Sequence, residues 1–279
     1  MNPRPAAYES SLILWGDFEA WLRGRVSERH VRDIMRYAMR YARFLDGNLN
    51  ELAGMSESKR HHIMEALSAL AKFLGVYEEW RGLIKNHGLK WAINSDKLII
   101  SRLKRNPNVD EVIRWARRVK GVPGLSLFVD FVAATGLRLD EALKSWNLIL
   151  ERDDYYNPAN SCLEHYKFDW LFIRRTKKAF ISFAPAELIS AIRAGGIRLT
   201  EAAIRLRIKR RGIPSRFSDL REYWATFMTR HLTLAEIDFL QGRVGTSIFM
   251  KNYFNPALIA DLRDRVLRGV AEILGAINQ

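Results

Sequence analysis

Side chains that could break a phosphodiester occur in four separate segments of the chain. In chain order they are Arg138, Lys177, Arg221, Arg243 and Tyr253. The planar, permanently charged guanidinium of arginine suits the non-bridging phosphate oxygens, on which negative charge builds as the ester breaks. Tyrosine is a poor nucleophile at neutral pH, but neighbouring cations favour its phenolate form. Together these residue types predict cleavage through a covalent phosphotyrosine, without a metal or ATP.

Two further residues support this chemistry. Glu141 lies one helical turn after Arg138, where it would orient that arginine or its neighbour. Lys177 lies in residues 166–183, whose alternating aromatic and β-branched residues predict a β-hairpin with Lys177 and Lys178 at its tip. A lysine among cations gives up its proton more readily, so it could protonate the leaving 5′-oxygen. Strand alternation favours Lys177 over Lys178 for this role.

Each candidate also has a plainer interpretation. An arginine in a basic protein is usually a solvated surface group or a simple phosphate contact. Tyr253 alone would be a half-buried packing residue, and Tyr223 is a rival nucleophile close to Arg221. Lys177 and Lys178 would be an ordinary charged turn. The joint occurrence of the set in one order favours the catalytic interpretation.

Other kinds of site find little support in the sequence. Cys162 is the one cysteine, which excludes an internal disulfide and a multi-cysteine zinc site. His61 and His62 are adjacent and would diverge on a helix, and the other four histidines have no partner at ligand spacing. We therefore expect surface or capping roles for His30, His87, His165 and His231. No glycine-rich phosphate loop precedes a helix, and we expect neither a metal nor a cofactor.

The composition indicates nucleic acid as the partner. The 279 residues carry 45 Lys and Arg against 31 Asp and Glu, a net charge of +14. This excess is shared by both halves of the chain, as expected for two domains that clamp a polyanion. No signal peptide or membrane-length apolar run is evident, which predicts a soluble protein of the cytoplasm, associated with the nucleoid.

A basic stripe is predicted in the helical first third of the chain. Its arginines recur at steps of three and four residues along one helix face: Arg29, Arg32, Arg36, Arg40 and Arg43. Such a face contacts the DNA backbone or, alternatively, is a solvated surface with local ion pairs to Glu28 and Asp33. Because one sign of charge dominates, we favour DNA contact.

Taken in order, the catalytic candidates resemble the active-site set of the tyrosine recombinase (phage integrase) family, in particular its archaeal virus and plasmid subgroup. The resemblance spans about Val112 to Pro256. Its most specific parts are TGLRLDEAL at 135–143, and Gly242-Arg243 with Tyr253 ten residues later. The helical N-terminal half is similar to the core-binding domain of that family by architecture only.

The resemblance implies a mainly α-helical fold. A helical core-binding domain at 1–93 would bind DNA, and a linker at 94–108 would lead to the catalytic domain at 109–279. That catalytic domain would be mostly α-helical with a small antiparallel β-sheet, the tyrosine recombinase fold.

The resemblance also implies an activity. A site-specific recombinase would cleave and rejoin double-stranded DNA through a 3′-phosphotyrosyl link, assembled as a tetramer on DNA. The amphipathic helix at 256–278 would dock on a neighbouring protomer or, equally, on its own domain. Two alternatives stay open: a type IB topoisomerase-like activity, and a non-catalytic DNA-binding protein on a recombinase scaffold.

The sequence departs from the family pattern at two positions. Ser218, three residues before Arg221, stands where most of the family has histidine or lysine. Serine donates one hydrogen bond to a phosphate oxygen but carries no charge, which would slow cleavage. Arg243 replaces the commoner histidine or tryptophan, as in the archaeal subgroup, and adds a charge that would partly compensate.

Overall fold

The chain forms two compact units. The computed structural model describes residues 13–91, 100, 108–174, 177–243 and 259–279. One unit comprises Met1–Asn106 and the other Pro107–Gln279, so the boundary lies inside the segment predicted as a linker. In both units the described part is mainly α-helical, as the sequence predicts.

The first unit is a small helical bundle. Its helices are α1 (Trp15–Arg23), α2 (Glu28–Tyr41), α3 (Asn50–Ala53), α4 (Glu57–Phe73) and α5 (Tyr77–Asn86), with a 3-10 helix at Ala42–Asp46. The long helices α2 and α4 pack against each other, and buried leucine, isoleucine and aromatic side chains fill the space between them. Trp80 shows how a polar atom is accommodated in this core: its indole nitrogen donates to Ser68 Oγ over 2.8 Å.

The second unit contains more helices and a short sheet. Its helices are α6 (Val109–Lys120), α7 (Ser126–Thr135), α8 (Leu139–Glu151), α9 (Asp169–Phe172), α10 (Ala186–Gly195), α11 (Glu201–Arg210), α12 (Phe217–Met228), α13 (Leu234–Leu240) and α14 (Ile259–Asn278). Helix α7 is central, because every residue from Phe128 to Thr135 is buried. An apolar helix of this kind must be covered on all sides, and α6, α8, α10, α12 and α14 all contact it.

Helix α14 packs on its own unit. Val266, Val270 and Ile273 are fully or almost fully buried in the same core as α6 and α7. Polar contacts fix its end: Arg117 Nη2 donates to the carbonyl of Ala276 over 2.6 Å, and Lys120 binds both Asp130 and Asn278. The sequence left open whether this helix docks on a neighbouring protomer or on its own domain. In the structure it packs on its own domain.

A three-stranded antiparallel sheet lies beside these helices. Its strands are β1 (Tyr156–Asn157), β2 (Cys162–Leu163) and β3 (Ser182–Phe183), in that order across the sheet. The register pairs Tyr156 with Leu163 and Cys162 with Phe183. The sheet is small and antiparallel, as predicted.

The predicted hairpin over 166–183 is largely wrong. His165–Phe168 forms a 3-10 helix and Asp169–Phe172 is α9, so the strand that pairs with β3 is β2. In a strand these aromatic residues, two apart in sequence, would share one face, but Tyr166 and Trp170 are exposed. Phe168 and Phe172 both bury their rings against Tyr155, at centroid distances of 5.4 and 6.2 Å. Around the lysines, the described residues keep an antiparallel bridge between Ile173 and Lys178 and backbone bonds from Arg174 to Lys177 and from Ala179 to Phe172.

His165 is likewise not at the surface or in a cap, contrary to the prediction. It is completely buried, with Ser182 Oγ 2.8 Å from its Nε2 and the hydroxyl of Tyr155 at its Nδ1. Burial lowers the pKa of His165 to about 3, since the charged imidazolium would lose its hydration there. This histidine is a neutral core residue that ties β3 to Tyr155.

Among the described helices, none combines the length and the apolar character that crossing a membrane requires.

Candidate active site

The glycine turn before α8 fixes where Arg138 lies. Gly136 has a φ of +60°, and a Cβ atom there would lie 2.4 Å from Cδ2 of Trp224. Trp224 is itself held by its indole nitrogen, which donates to the carbonyl of Ala134 over 3.0 Å. Only glycine satisfies both the left-handed backbone and this close approach. The turn therefore ends α7 and presents Arg138 just before the first residue of α8.

Arg138 is oriented by Glu141. Its Nη1 donates to Glu141 Oε1 over 2.7 Å, and its backbone nitrogen donates to Oε2 over 3.1 Å. Glu141 is completely buried, whereas over a quarter of the Arg138 side chain stays exposed. A buried carboxylate needs cationic partners, and here it fixes an arginine that is partly exposed to solvent.

Arg221 approaches the same carboxylate from α12. It is buried, and its two terminal nitrogens donate to the carbonyls of Gly136 and Gln241, both over 2.7 Å. Its Nη1 lies 4.0 Å from Glu141 Oε2. Burial and the charge of Arg138 lower the pKa of Arg221 to about 10; Glu141 opposes this change and Arg243 adds to it. The guanidinium is therefore still protonated at neutral pH.

Gln241 is a site residue that the sequence analysis missed. It is buried just after α13. Its side-chain Nε2 donates to the backbone carbonyl of Arg221 over 3.3 Å, and its backbone carbonyl accepts from the Arg221 guanidinium. This reciprocal pair joins α12 to the segment that leads to Arg243. A lone glutamine at a helix end gives no sequence signal of this contact.

The lysine turn, defined by the described residues 173–174 and 177–178, contacts both the start of α8 and Gly242. The backbone nitrogen of Arg174 donates to the carbonyl of Lys177 over 2.9 Å, and Ile173 pairs with Lys178. A Cβ atom at Gly242 would lie 1.5 Å from the carbonyl oxygen of Lys178, so the glycine contacts the turn directly. Lys177 is exposed and Lys178 is half-buried.

The side chain of Arg174 anchors this turn to the start of α8. Its Nη1 lies 2.8 Å from Asp140 Oδ2, and its Nη2 lies 3.8 Å from Glu141 Oε1. Three guanidinium groups therefore surround Glu141, those of Arg138, Arg174 and Arg221. The sequence gives no sign of this contact, because nothing in the spacing relates Arg174 to Glu141.

Arg243 follows Gly242 at the edge of this group. Its backbone nitrogen donates to the carbonyl of Asp238 over 2.7 Å, and its Nη1 lies 3.8 Å from Asp238 Oδ1. Half of the side chain is exposed. It is near enough to Arg221 to lower the pKa of that guanidinium.

Ser218 is one turn before Arg221 on α12 and is exposed. Its Oγ donates to Asp219 Oδ1 over 3.2 Å, and Asp219 also accepts from Arg216 Nε over 2.6 Å. The hydroxyl therefore contacts a carboxylate in the structure, and none of its described contacts is to the site arginines.

Tyr253 and Tyr223 are the two candidate nucleophiles. Tyr253, the predicted nucleophile, lies outside the described residues. Its rival Tyr223 is buried on α12, and this burial raises its pKa above that of free tyrosine. A buried phenol with a raised pKa is a poorer nucleophile than an ordinary tyrosine.

The basic stripe of the first unit follows the exposed face of α2 and ends at Arg43 in the 3-10 helix after it. Arg32, Arg36, Arg40 and Arg43 are all exposed, and the side chain of Arg29 lies outside the described residues. Arg36 contacts Asp33 and Arg43 contacts Glu51, at 2.9 and 2.7 Å. Within the described part of the chain, neither Arg32 nor Arg40 pairs with a carboxylate. The alternative interpretation, in which local carboxylates pair with the stripe arginines, therefore applies to Arg36 and Arg43 but not to Arg32 and Arg40 among the described residues.

A metal has no evident place among the described residues. No three His, Cys, Asp or Glu side chains come together there in a way that could hold an ion. The carboxylates of the site, Asp140 and Glu141, are instead engaged by arginines.

Comparison with protein families gives one match. The model of a family described as archaeal phage integrase matches residues 104–266, which is more than half of the chain and includes every catalytic candidate. No curated protein matches the sequence. The predicted membership of the archaeal phage integrases is thus confirmed, and it indicates integration or site-specific recombination with DNA as the partner. The chain belongs to the archaeal phage integrase family.

Proposed function

We propose that this integrase is a tyrosine recombinase that cleaves and rejoins duplex DNA at a specific site. The observation that supports this most strongly is the convergence of Arg138 and Arg221 on the buried carboxylate of Glu141, with Arg243 and the lysine turn beside them. A cluster of fixed cations, in which the described carboxylates Asp140 and Glu141 are engaged by arginines, suits a phosphate whose negative charge increases during the reaction.

Each residue has a distinct role in the proposed reaction. Arg138, Arg221 and Arg243 bind the non-bridging oxygens of the scissile phosphate. The phenolic oxygen of Tyr253 bonds to phosphorus and gives its proton to solvent, while the bond from phosphorus to the 5′-oxygen breaks. Lys177 gives a proton to that leaving oxygen and regains one from solvent. Attack by the released 5′-hydroxyl reverses the sequence and rejoins a strand.

Two roles are supporting ones. Glu141 holds Arg138 in place. Ser218 donates one uncharged hydrogen bond to the phosphate after leaving Asp219. Because the serine supplies no charge, we expect Ser218→His to keep or raise the cleavage rate, and a large loss of rate would contradict the role given to Ser218.

The first unit supplies DNA affinity in this proposal. The exposed arginines of α2, with Arg29 of the same stripe, contact backbone phosphates without reading sequence. Recombination between two duplexes requires several protomers, so we also propose a tetramer assembled on DNA. Since α14 packs on its own unit, the described part of that helix is not the proposed link between protomers.

Capture of a covalent adduct tests the reaction. Target-site DNA with a nick next to the scissile phosphate loses a short fragment after cleavage, which prevents rejoining and traps the protein–DNA link. We expect the unaltered protein to form the adduct and Tyr253→Phe to abolish it, on a denaturing gel. Tyr223→Phe is the matched control and should still form it. An adduct that survives Tyr253→Phe, or no adduct with the unaltered protein on its true site, would overturn the proposal.

The same substrates separate recombination from the topoisomerase-like alternative. Two differently labelled duplexes that both carry the site should yield joint products whose strands come from both. Relaxation of supercoiled DNA without such products would favour the topoisomerase-like activity, and tight binding without any adduct would favour the non-catalytic alternative.

A further inference from the structure

Arg174 occupies a position that packing alone does not explain. Its Nη1 forms an ion pair with Asp140, but its Nε and Nη2 are buried with no hydrogen-bond partner among the described residues. Buried donors without acceptors are costly, and charged ones especially so. Nη2 lies 3.8 Å from Glu141 Oε1, just beyond hydrogen-bond distance. The side chain is therefore directed at an acceptor that is already in use.

That acceptor is held by Arg138. Glu141 Oε1 accepts from Arg138 Nη1 over 2.7 Å. The Arg138 side chain is partly exposed, whereas Glu141 is completely buried and cannot follow it towards solvent. A phosphate bound at the site would attract the Arg138 guanidinium, and any movement of Arg138 away from Oε1 would leave the buried carboxylate short of a donor.

Arg174 is also part of the lysine turn. Its backbone nitrogen closes the turn on the carbonyl of Lys177, and the neighbouring Ile173 pairs with Lys178. A shift of Arg174 towards Glu141 would therefore move the backbone that carries Lys177. The contact of Gly242 with Lys178 supports the turn from another element.

We propose that Arg174 is a positioning residue that takes over Glu141 Oε1 when Arg138 turns to the scissile phosphate, and so places Lys177 at the leaving oxygen. This inference rests on the proposed function. Movement of about 1 Å is enough to turn the 3.8 Å separation into a hydrogen bond. Binding of the phosphate by Arg138 and placement of the general acid Lys177 are then coupled through the carboxylate of Glu141.

A change of leaving group tests the coupling. In a substrate whose scissile 5′-oxygen is replaced by sulfur, the leaving thiolate needs no proton, so the general acid becomes dispensable. We expect Lys177→Ala to lose about 100-fold in single-turnover cleavage of the oxygen substrate. Arg174→Gln should lose about tenfold or more, and Arg174→Lys should recover part of that loss. On the sulfur substrate, Lys177→Ala and Arg174→Gln should both come within about threefold of the unaltered protein, while Arg138→Ala stays slow.

A matched control variant isolates the effect of losing an arginine. Arg152→Gln removes an exposed arginine of the same unit that pairs with Asp154 outside the site, and it should leave both rates unchanged. Thermal melting of all variants tests whether each one is folded. If Arg174→Gln is not folded, cleavage of the two substrates by Arg174→Lys is compared with the unaltered protein instead.

The possible failures are distinguishable. If the unaltered protein cleaves neither substrate, the proposed function fails. If Lys177→Ala behaves as expected but Arg174→Gln cleaves the oxygen substrate normally, or stays slow on the sulfur substrate, this inference alone is wrong.

Discussion

Arg221 of the second unit and the stripe arginines of the first unit are held in opposite ways. In the second unit, Arg221 is buried and both of its terminal nitrogens donate to backbone carbonyls. In the first unit, two thirds of the Arg36 side chain is exposed, and Arg40 is exposed with no carboxylate partner among the described residues. Binding a polyanion requires only charge, which exposed arginines supply. Acting on one phosphate requires a fixed direction, which only packing supplies.

Replacing Arg221 by lysine should give the largest effect and tests this contrast directly. Arg221→Lys keeps the charge but cannot satisfy both carbonyls and also face a phosphate. We expect single-turnover cleavage to fall by about 10²- to 10³-fold. The matched change in the stripe, Arg40→Lys, should alter neither cleavage nor DNA affinity more than about twofold. Equal losses in the two variants would show that the contrast between fixed and exposed arginines is wrong.

Two glycines with the same backbone conformation sharpen the comparison. Gly242 and Gly88 have φ values of +62° and +60°, but a Cβ atom would meet Lys178 at the first and nothing within 4 Å at the second. Gly88→Ala should therefore cost only the backbone strain, about 1–2 kcal/mol of unfolding free energy. Gly242→Ala must also displace the lysine turn, and cleavage should fall by about tenfold or more. Urea unfolding and single-turnover cleavage measure the two quantities.

Acid should weaken the second unit selectively. Its buried His165 has a pKa of about 3, while an unfolded imidazole takes up a proton near pH 6.5. Below about pH 6.5 the unfolded state therefore binds more protons, and the unfolding free energy falls by up to about 1.4 kcal/mol per pH unit until the pH reaches the folded pKa.

Hydrogen exchange of each unit at about pH 7 and pH 5 measures this loss. None of the described histidines in the first unit is buried. His165→Asn should flatten the pH dependence of the second unit, and an unchanged slope would show that another group causes it.

The smallest effect is expected in the stripe itself. Changing Arg32 and Arg40 together to glutamine should reduce the slope of log affinity against log salt by about 0.9 for each lost phosphate contact. Cleavage at saturating protein should not change. Arg23→Gln, an exposed arginine of α1 already paired with Glu19, is the control and should leave the salt slope unchanged. A loss of cleavage at saturation would indicate that the stripe does more than bind.

Local signals in the sequence predicted some of these features well. Gly136 ends α7 because it can adopt a positive φ, so both the helix break and the place of Arg138 could be predicted. The basic face of α2 follows from helical spacing alone. Glu141 was expected near Arg138, since residues three apart on a helix are neighbours.

Features that depend on distant contacts could not be predicted in this way. Residues 166–172 have a strand-like composition, yet the need to bury Phe168 and Phe172 beside Tyr155 makes this stretch helical. Arg174 and Gln241 reach the site from elements more than sixty residues apart, and no local pattern records that approach.

The packing of α14 has a consequence for how the second unit folds. This helix supplies Val270 and Ile273 to the same core as α6 and α7, although more than 120 residues separate it from either helix in sequence. A chain emerging from the ribosome therefore cannot complete this core until α14 has been made. We expect α8 and α12, which position Arg138 and Arg221, to stay loosely packed until then, so that a prematurely terminated chain would keep an intact first unit beside an incomplete second unit.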